Sequence, residues 1–246
     1  MNKLEVFSQQ SMPAASSGYG RPPYRFINRE YFVISYESDA AAIRKALPEP
    51  LEPDGSNIVK YEWIKMPDSS GLGCYEESGV VIPCTYRSEP CNFTAQMYLN
   101  NSPAILAGRE IWGFPKKWGY PTLKVEDTET LTGTLHYNNI LIALGTIPYK
   151  YETIDPKIIE SSLSGMNVNL KLIPDVDGSP KVVELTAYNL CDITVKGAWS
   201  GPARLHLVPH VNAPVSDLPV IKVVRGIHFI ADLTLPYGRL LYDYLK

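Results

Sequence analysis

The sequence predicts a β-rich α+β fold in which a curved, mainly antiparallel sheet closes into a cone or barrel with a few flanking helices. The 21 prolines of this 246-residue chain are scattered along its length and do not cluster in a linker, a pattern typical of many short elements joined by turns. Apolar runs of strand length recur between turn residues, and only a few stretches have a helical pattern. A sheet with so many strands tends to curl or close.

Strand patterns occupy most of the chain beyond residue 57. Clear turn signals separate several of them, such as residues 137–139 (Tyr-Asn-Asn) and 177–180 (Asp-Gly-Ser-Pro). Short turns between successive strands favour antiparallel pairing. The predicted strands are Ile58–Met66, Phe93–Leu99, Ala104–Ile111, Leu131–Tyr137, Leu141–Ile147, Val168–Ile173, Lys181–Thr186, Ile193–Val195, Arg204–Val208 and His228–Leu235.

Two stretches have the start and stop signals of helices. The first begins at Ser38 or Asp39, either of which can cap a helix, and ends before Pro48, which cannot continue one. The second begins at residues 155–156, where an Asp cap precedes a proline in the first turn, and ends before Gly165. Both carry apolar residues at helical spacing, which predicts one buried face on each helix.

The chain is expected to form one domain over residues 1–246. Residues 1–23 are rich in Ser, Ala, Gly and Pro and are predicted to form an extended N-terminal arm. No interior stretch has the composition of a linker, and no internal repeat is present. A third short helix is predicted near the C-terminus, at Leu240–Tyr244.

Charge and hydropathy argue against several classes of partner. The 23 basic and 26 acidic residues give a formal net charge of −3, without the basic runs that nucleic acid or an anionic membrane would require. The N-terminus lacks the apolar stretch of a signal peptide, and no segment approaches the roughly 20 apolar residues of a membrane span. None of the four cysteines lies in a Cys-x-x-Cys pair, so reduced thiols are expected. We therefore expect a cytoplasmic protein.

The usual motifs of several enzyme classes are missing. The sequence contains no glycine-rich dinucleotide fingerprint and no phosphate-binding loop, which argues against a nucleotide cofactor. No serine lies in a Gly-x-Ser-x-Gly elbow. His206 and His210 have the spacing of metal ligands, but Pro209 interrupts any helix that would place them on one face. We expect neither a metal centre nor a catalytic triad.

The most informative segment is Gly108–Pro121, where two adjacent lysines lie among aromatic residues. Lys116 and Lys117 could be a surface pair whose stems cover an aromatic patch. Alternatively, one of the amines is reactive. A lysine must be neutral to attack a carbonyl, although its reference pKa is about 10.4. Burial among aromatics or a nearby cation lowers that pKa, so this segment is a candidate nucleophile site.

Charged residues elsewhere in the chain could act with such a lysine. Glu62 lies on the apolar face of a predicted strand, where it either faces solvent at an edge or requires a buried partner. Glu77 follows Glu76 in a Gly-rich segment that we expect to be a loop. Arg29 is a candidate carboxylate partner because a guanidinium pairs bidentately. Arg109 is a second candidate, for which an ordinary salt bridge is the simpler role.

Taken together, these segments resemble the acetoacetate decarboxylase family. The resemblance is collinear over nearly the whole chain and does not depend on a single motif, which makes it specific. The segments that carry it are PYRFINREYF (23–32), LPEPLE (47–52), SSGLGCYEESG (69–79), PKKWGYP (115–121), LIPDVDGSP (172–180), WSGPARL (199–205) and YDYLK (242–246).

The resemblance implies a role for five residues. The first lysine of Pro-Lys-Lys, here Lys116, would form a Schiff base with the substrate, and Lys117 would be the neighbour long invoked to lower its pKa. The arginine of Asn-Arg-Glu-Tyr matches Arg29. The two active-site glutamates of the family match Glu62 and Glu77, whereas the other acid of that segment receives no role.

The resemblance also implies the activity. The chain would decarboxylate acetoacetate, a β-keto acid, to acetone and CO2 without a metal or an organic cofactor. Its fold would be a β-rich cone or barrel with the reactive lysine in an apolar interior, and it would form a large homo-oligomer. Two alternatives stay open: a Schiff-base aldolase or dehydratase of the same superfamily that acts on another keto acid, and a non-catalytic barrel that binds a small molecule.

Overall fold

The computed structural model describes residues 1–246, and strands dominate it. The strands are β1 (Tyr24–Glu37), β2 (Leu51–Pro53), β3 (Ile58–Met66), β4 (Asp68–Ser69), β5 (Tyr75–Tyr86), β6 (Glu89–Leu99), β7 (Lys116–Trp118), β8 (Tyr120–Glu126), β9 (Thr130–Tyr137), β10 (Ile140–Pro148), β11 (Glu152–Thr153), β12 (Met166–Pro174), β13 (Pro180–Tyr188), β14 (Cys191–Gly201), β15 (Arg204–Leu207), β16 (Lys222–Leu235) and β17 (Arg239–Asp243). The α-helices are α1 (Lys3–Phe7), α2 (Ala40–Ala46), α3 (Ser102–Ala107) and α4 (Pro156–Leu163), with a π-helical turn at Gly108–Trp112 and a 3-10 turn at Val215–Asp217. The prediction of a β-rich fold with few helices is confirmed. No helix combines the length and the apolar character needed to cross a membrane.

The strands form two sheets. The large sheet has 13 strands, and its main path runs β11-β14-β16-β1-β3-β5-β6-β12-β13-β17, with β2, β4 and β7 attached at its sides. The second sheet has four strands in the order β15-β10-β9-β8. Pairing is antiparallel except where β6 meets β12 and β7, so the predicted antiparallel character is confirmed.

The predicted closure into a cone or barrel is wrong, because the large sheet remains open. Its path ends at β11 and β17, which pair with β14 and β13 and not with each other. Alternation of apolar and polar residues predicts which face of a strand is buried, but it does not predict whether the end strands meet. Here the second sheet covers one face of the large sheet, so that face is buried without closure.

The main core lies between the two sheets. Trp63 of β3 packs against Gly133 and Gly145 of the second sheet, and a methyl group at Gly133 would come within 2.3 Å of the indole ring. The indole Nε1 of Trp63 donates a hydrogen bond to the Thr134 carbonyl at 2.9 Å, and Phe32 stacks on the ring with centroids 5.5 Å apart. These contacts hold β3 firmly, and the other face of this strand lines the site described below.

The opposite face of the large sheet carries a second apolar cluster of 22 buried residues. Residues of α3, the π-helical turn and α4 belong to this cluster and therefore cover the sheet on this side. Trp112, at the end of the π-helical turn, donates a hydrogen bond from Nε1 to the Pro236 carbonyl at 2.9 Å. The space left between these segments and the sheet is the pocket that contains the candidate site.

The first two predicted helices are confirmed, together with their caps. The Asp39 side chain accepts a hydrogen bond from the Ala42 backbone NH at 2.8 Å, and α2 ends just before Leu47 and Pro48. The Asp155 side chain accepts from the Lys157 NH at 3.0 Å at the start of α4. Local capping signals were sufficient for these helices because each side chain binds its own first turn.

Two other predicted elements are wrong. Residues 104–111 form part of α3 and the π-helical turn and not a strand, because the Asn101 side chain caps α3 by accepting from the Ala104 NH at 2.9 Å. Residues 240–244 lie mainly in β17 and form no helix, since Tyr242 pairs with Leu185 of β13. In the second case pairing with a neighbouring strand overrides the local pattern.

The N-terminal segment is fastened near the π-helical turn. Residues 1–23, expected to form an extended arm, contain the five-residue helix α1 followed by turns. The Tyr19 hydroxyl donates a hydrogen bond to the Glu110 carboxylate at 2.6 Å, which ties this segment to the π-helical turn. Burial and the Glu110 carboxylate raise the pKa of Tyr19, so the hydroxyl stays a donor.

Candidate active site

A pocket of about 110 Å³ lies on the face of the large sheet that is turned away from the second sheet. Most of its lining residues are hydrophobic. Four of the five site residues predicted from the sequence line it: Arg29, Glu62, Glu77 and Lys116. The fifth, Lys117, does not. A mainly apolar pocket with a few convergent charged groups is the usual form of a small-molecule site.

A π-helical turn and two glycines place Lys116 in this pocket. The turn ends at Gly113, whose backbone is left-handed with a φ of 71°, and the chain then enters β7. There Lys116 pairs with Met97 of β6. A methyl group at Gly108 would come within 2.6 Å of Lys116 Cδ, so glycine leaves the room that the lysine stem occupies. Turns of this type are frequent at functional sites.

Glu77 lies between two cations. The Lys116 Nζ is 3.3 Å from Glu77 Oε2, and Arg29 Nη2 donates a hydrogen bond to Glu77 Oε1 at 3.2 Å. All three side chains are buried. Arg29 therefore forms a hydrogen-bonded ion pair with Glu77, whereas the contact of Lys116 with Glu77 is an ion pair that lacks hydrogen-bond geometry.

The predicted loop around Glu77 is wrong, because this residue lies in β5 and is paired with Ile64 of β3. Strand pairing therefore fixes the position of the carboxylate.

A β-bulge in β1 aims Arg29 at the pocket. The register with β16 shifts between Phe26 and Arg29, and Asn28 has a positive φ of 54°. This bulge inserts one extra residue into the strand and so shifts the alternation of side chains between its two faces. As a result, Phe26, Arg29 and Tyr31 share one face. The guanidinium carbon lies 4.8 Å from the ring centres of both Phe26 and Tyr31. Its charge is thus held by aromatic faces and by Glu77.

The surroundings of Lys116 favour its neutral form. Burial is the largest influence and lowers the pKa of the amine, because the ammonium loses its hydration. The Glu77 carboxylate opposes this effect and raises the pKa. The Arg29 guanidinium lowers it further. The net direction is downward, as a nucleophilic amine requires.

Lys117 lies on the other side of β7, as an extended backbone predicts. Its side chain is exposed, and Nζ lies 5.5 Å from the centre of the Tyr137 ring. The same Nζ donates a hydrogen bond to the Asn212 carbonyl. The structure therefore does not bring Lys117 into the pocket with the other four residues. Its contacts tie β7 to the segment before the 3-10 turn.

We expect Lys117→Met to leave the pKa of Lys116 lowered, because burial and not the neighbouring ammonium is the main cause of its shift. The pH dependence of Lys116 acylation by a reactive ester measures this pKa in the parent and the variant. Activity can fall for structural reasons, since the contact with Asn212 is lost. A Lys117→Arg variant keeps the charge and serves as the control. Return of the pKa to nearly 10.4 in a folded Lys117→Met protein would contradict the expectation.

Glu62 faces the pocket, which resolves the alternative left open by the sequence. It lies on β3, is partly buried and lines the pocket. Burial raises the pKa of its carboxyl group, Lys60 and Arg29 lower it, and Glu77 raises it. The net direction is upward, so Glu62 holds a proton more readily than a free glutamate does.

Tyrosines of the pocket were missed in the sequence. Tyr31, Tyr75 and Tyr188 line it, and burial raises the pKa of each hydroxyl, which keeps all three neutral. The Tyr31 hydroxyl is buried without a hydrogen-bond partner. The Tyr75 ring centre lies 6.0 Å from Lys116 Nζ. Of these three tyrosines, only Tyr31 could be predicted from the sequence to face the pocket, because it lies two residues after Arg29 in a strand and its side chain points to the same face.

Comparison with known proteins identifies relatives over nearly the whole chain. Residues 11–245 match the family model described as "Acetoacetate decarboxylase (ADC)". A protein of Acidiphilium cryptum named acetoacetate decarboxylase is 52% identical over 235 residues, which cover 96% of this chain and 95% of the relative. The same region thus contains the pocket and all the site residues.

Solved structures agree with this comparison. A structure described as "Structural Studies of Acetoacetate Decarboxylase" is 46% identical, covers both chains completely and superimposes with a TM-score of 0.97. The crystal structure of acetoacetate decarboxylase from Legionella pneumophila is 47% identical, has a TM-score of 0.93, and covers 100% of this chain and 99% of its own.

Proposed function

The chain belongs to the acetoacetate decarboxylase family, and on that premise we propose that Lys116 carries the reaction as a Schiff base. The protein is a carboxy-lyase that converts acetoacetate to acetone and CO2. The observation that supports Lys116 most directly is that this lysine is only 6% exposed in a mostly hydrophobic pocket. A lysine with a lowered pKa is an established device of this family, and this pocket supplies the conditions for it.

The reaction needs only the amine and protons. Neutral Lys116 attacks the ketone carbon of acetoacetate, and water leaves as the imine forms. The protonated imine accepts the electron pair of the bond to the carboxylate carbon, and CO2 departs. The enamine that remains takes up a proton at carbon. Water then hydrolyses the imine, so that acetone is released and Lys116 is regenerated. The overall reaction consumes one proton and requires no metal or organic cofactor.

The charged neighbours have distinct tasks in this proposal. The Glu77 carboxylate, 3.3 Å from Lys116 Nζ, is placed to accept a proton that the amine releases when it adds to the ketone. Arg29 fixes Glu77 through its hydrogen bond and adds positive charge near the substrate. Glu62, whose pKa is raised, can hold a proton inside the pocket. The apolar lining also solvates a carboxylate less well than water does, which favours its loss as uncharged CO2.

The function is tested by product analysis with a small panel of β-keto acids. We expect acetoacetate to yield acetone and CO2 in equal amounts, and borohydride added with acetoacetate to leave a covalent adduct on Lys116. An adduct with dehydrated or condensed products and without CO2 would identify a Schiff-base aldolase or dehydratase. Absence of an adduct together with retained ligand binding would identify a non-catalytic binding protein. Either outcome would overturn the proposal.

We further propose that the chain forms one domain and assembles into a large homo-oligomer in the cytoplasm. The large sheet contains strands from Tyr24 to Asp243, which supports a single domain. The N-terminal segment exposes the apolar side chains of Leu4, Phe7 and Met12, a surface that a second copy could bury. Light scattering after size-exclusion chromatography measures the assembly, and a monomer at micromolar concentration would contradict it.

A further inference from the structure

One end of the pocket is open to solvent, and we call this end the mouth. The lining residues around Lys116 are buried, including Phe114, Tyr75 and Met97. At the other end, several lining residues are partly or fully exposed. The mouth consists of Lys60, Asn92, Ser162, Leu163, Asn167 and Leu190. A substrate from solution must therefore pass these residues before it reaches Lys116.

The sheet register sets the distance between the mouth and the reactive lysine. Asn92 of β6 pairs with Asn167 of β12 at the mouth, whereas Met97 of the same β6 strand pairs with Lys116. The five residue steps from Asn92 to Met97 span roughly 16 Å at the rise of a strand. Lys60 of β3 pairs with Val81 of the intervening strand β5, and its side chain reaches Asn92. The mouth is thus a separate location from the Glu77 site.

Lys60 is the cation of the pocket that has no carboxylate partner. The other two cationic residues that line it, Arg29 and Lys116, both contact Glu77. Lys60 forms no ion pair, and its Nζ donates a hydrogen bond to Asn92 Oδ1 at 3.1 Å. An ammonium has three donors, so two remain for a ligand. The hydrogen bond from the lysine to Asn92 holds the charge over the entrance.

We propose that Lys60 and Asn92 form an outer carboxylate-binding site at the mouth, which captures the anionic β-keto acid before it moves inward to Lys116. This inference rests on the proposed function, because it assigns the substrate class of the same pocket. The carboxylate accepts hydrogen bonds from the Lys60 ammonium, and the Asn92 amide NH2 offers a further donor beside it. Attraction by a fixed cation at an entrance raises the rate of capture and is screened by salt.

The outer site also separates substrate from product. Acetoacetate carries a carboxylate and is retained at the mouth, whereas acetone is neutral and has no charge for Lys60 to bind. Acetone therefore passes the mouth without being held there. The consequence is that Lys60 acts on the entry of substrate and leaves the exit of product unchanged.

A purely internal role for Lys60 predicts a different result. Lys60 lowers the pKa of Glu62, so its removal raises that pKa further. If this were its whole contribution, loss of the charge would change kcat and its pH profile at saturating substrate. An outer binding site predicts instead a change in kcat/KM and in its dependence on salt. The two roles are therefore separable by steady-state kinetics.

The test compares Lys60→Met with the parent enzyme at several ionic strengths. Methionine keeps an apolar stem and removes the charge. We expect kcat/KM for acetoacetate to fall about tenfold at low salt and to lose most of its salt dependence, since steering by charge contributes rate factors of this size. The loss in kcat at saturation, which reports the change in the Glu62 pKa, should be much smaller than the loss in kcat/KM. Lys60→Arg should restore most of kcat/KM, because it restores the charge.

Two further measurements make the outcome decisive. Lys65→Met removes a lysine from the same strand at a position outside the pocket lining, and it should leave the kinetics unchanged. Inhibition of the parent by butyrate should be relieved in Lys60→Met, whereas inhibition by acetone should be the same in both. Unchanged kcat/KM and salt dependence in a folded Lys60→Met enzyme would overturn the outer site, as would an effect confined to kcat and its pH profile. A parent enzyme without turnover of acetoacetate would instead overturn the proposed function.

Discussion

Lys116→Arg is expected to abolish decarboxylation while the protein remains folded. A guanidinium stays protonated in proteins, so it cannot add to a ketone and form an imine. Because the covalent route is lost, we expect kcat to fall by at least about 10⁴-fold. Borohydride in the presence of acetoacetate should leave no adduct on this variant. CO2 release and intact-protein mass, measured on the same sample, check both parts of the expectation.

The close packing at Gly108 requires a second variant. Arginine is larger than lysine, and the lysine stem already occupies the space where a methyl group at Gly108 would lie. Lys116→Met has a shorter, uncharged side chain and should also be inactive. Circular dichroism and thermal unfolding verify that both variants fold. Substantial turnover by either folded variant would rule out Lys116 as the covalent residue.

The second large loss of activity is expected when either Glu77 or its hydrogen-bond donor Arg29 is replaced. Glu77→Gln and Arg29→Gln should each lower kcat about 10²–10³-fold. Glu77→Gln leaves two buried cations without their carboxylate, and Arg29→Gln removes the directed hydrogen bond that holds this carboxylate beside Lys116. The double variant should be far from additive, since the first substitution already destroys the contact that the second would remove. A double-mutant cycle on kcat measures the coupling. Strictly additive losses would show that the two residues do not act together.

The same pair should shift the pKa of Lys116 in opposite directions. Glu77 raises this pKa in the parent, so Glu77→Gln should lower it. Arg29 lowers it in the parent, so Arg29→Gln should raise it and leave less neutral amine at neutral pH. The pH dependence of acylation of Lys116 measures both shifts. Shifts of the same sign would contradict the geometry in which Glu77 bridges the two cations.

Residue alternation in an extended segment accounts for the opposite placement of the two lysine side chains. Lys116 and Lys117 are adjacent in a short extended segment, so their side chains had to diverge, and the structure buries one and exposes the other. The face of Glu62 was likewise visible in the sequence as a carboxylate in an apolar row. What the sequence alone left open was whether that face was covered, because this depends on segments distant in the chain.

Glu77 and Arg29 show where local reasoning fails. The glycines around Glu77 favour a loop, yet pairing with both β3 and β6 makes the segment a central strand. Arg29 reaches the pocket only because a bulge at Asn28 shifts the alternation of side chains between the two faces of β1. The sequence pattern does not reveal a single inserted residue of this kind. The resemblance to a family identified both residues, whereas composition and periodicity did not place them in space.

The open ends of the large sheet affect how copies of this chain can meet. A free strand edge presents unpaired backbone groups that can template a strand from another molecule and lead to aggregation. At one end β11 has only two residues, and at the other β17 has five and carries Arg239 and Asp243. The Tyr86 hydroxyl also donates a hydrogen bond to the Leu241 carbonyl of β17 at 3.1 Å. Such short, charged and partly satisfied edges disfavour the addition of a strand from another copy at either end of the large sheet.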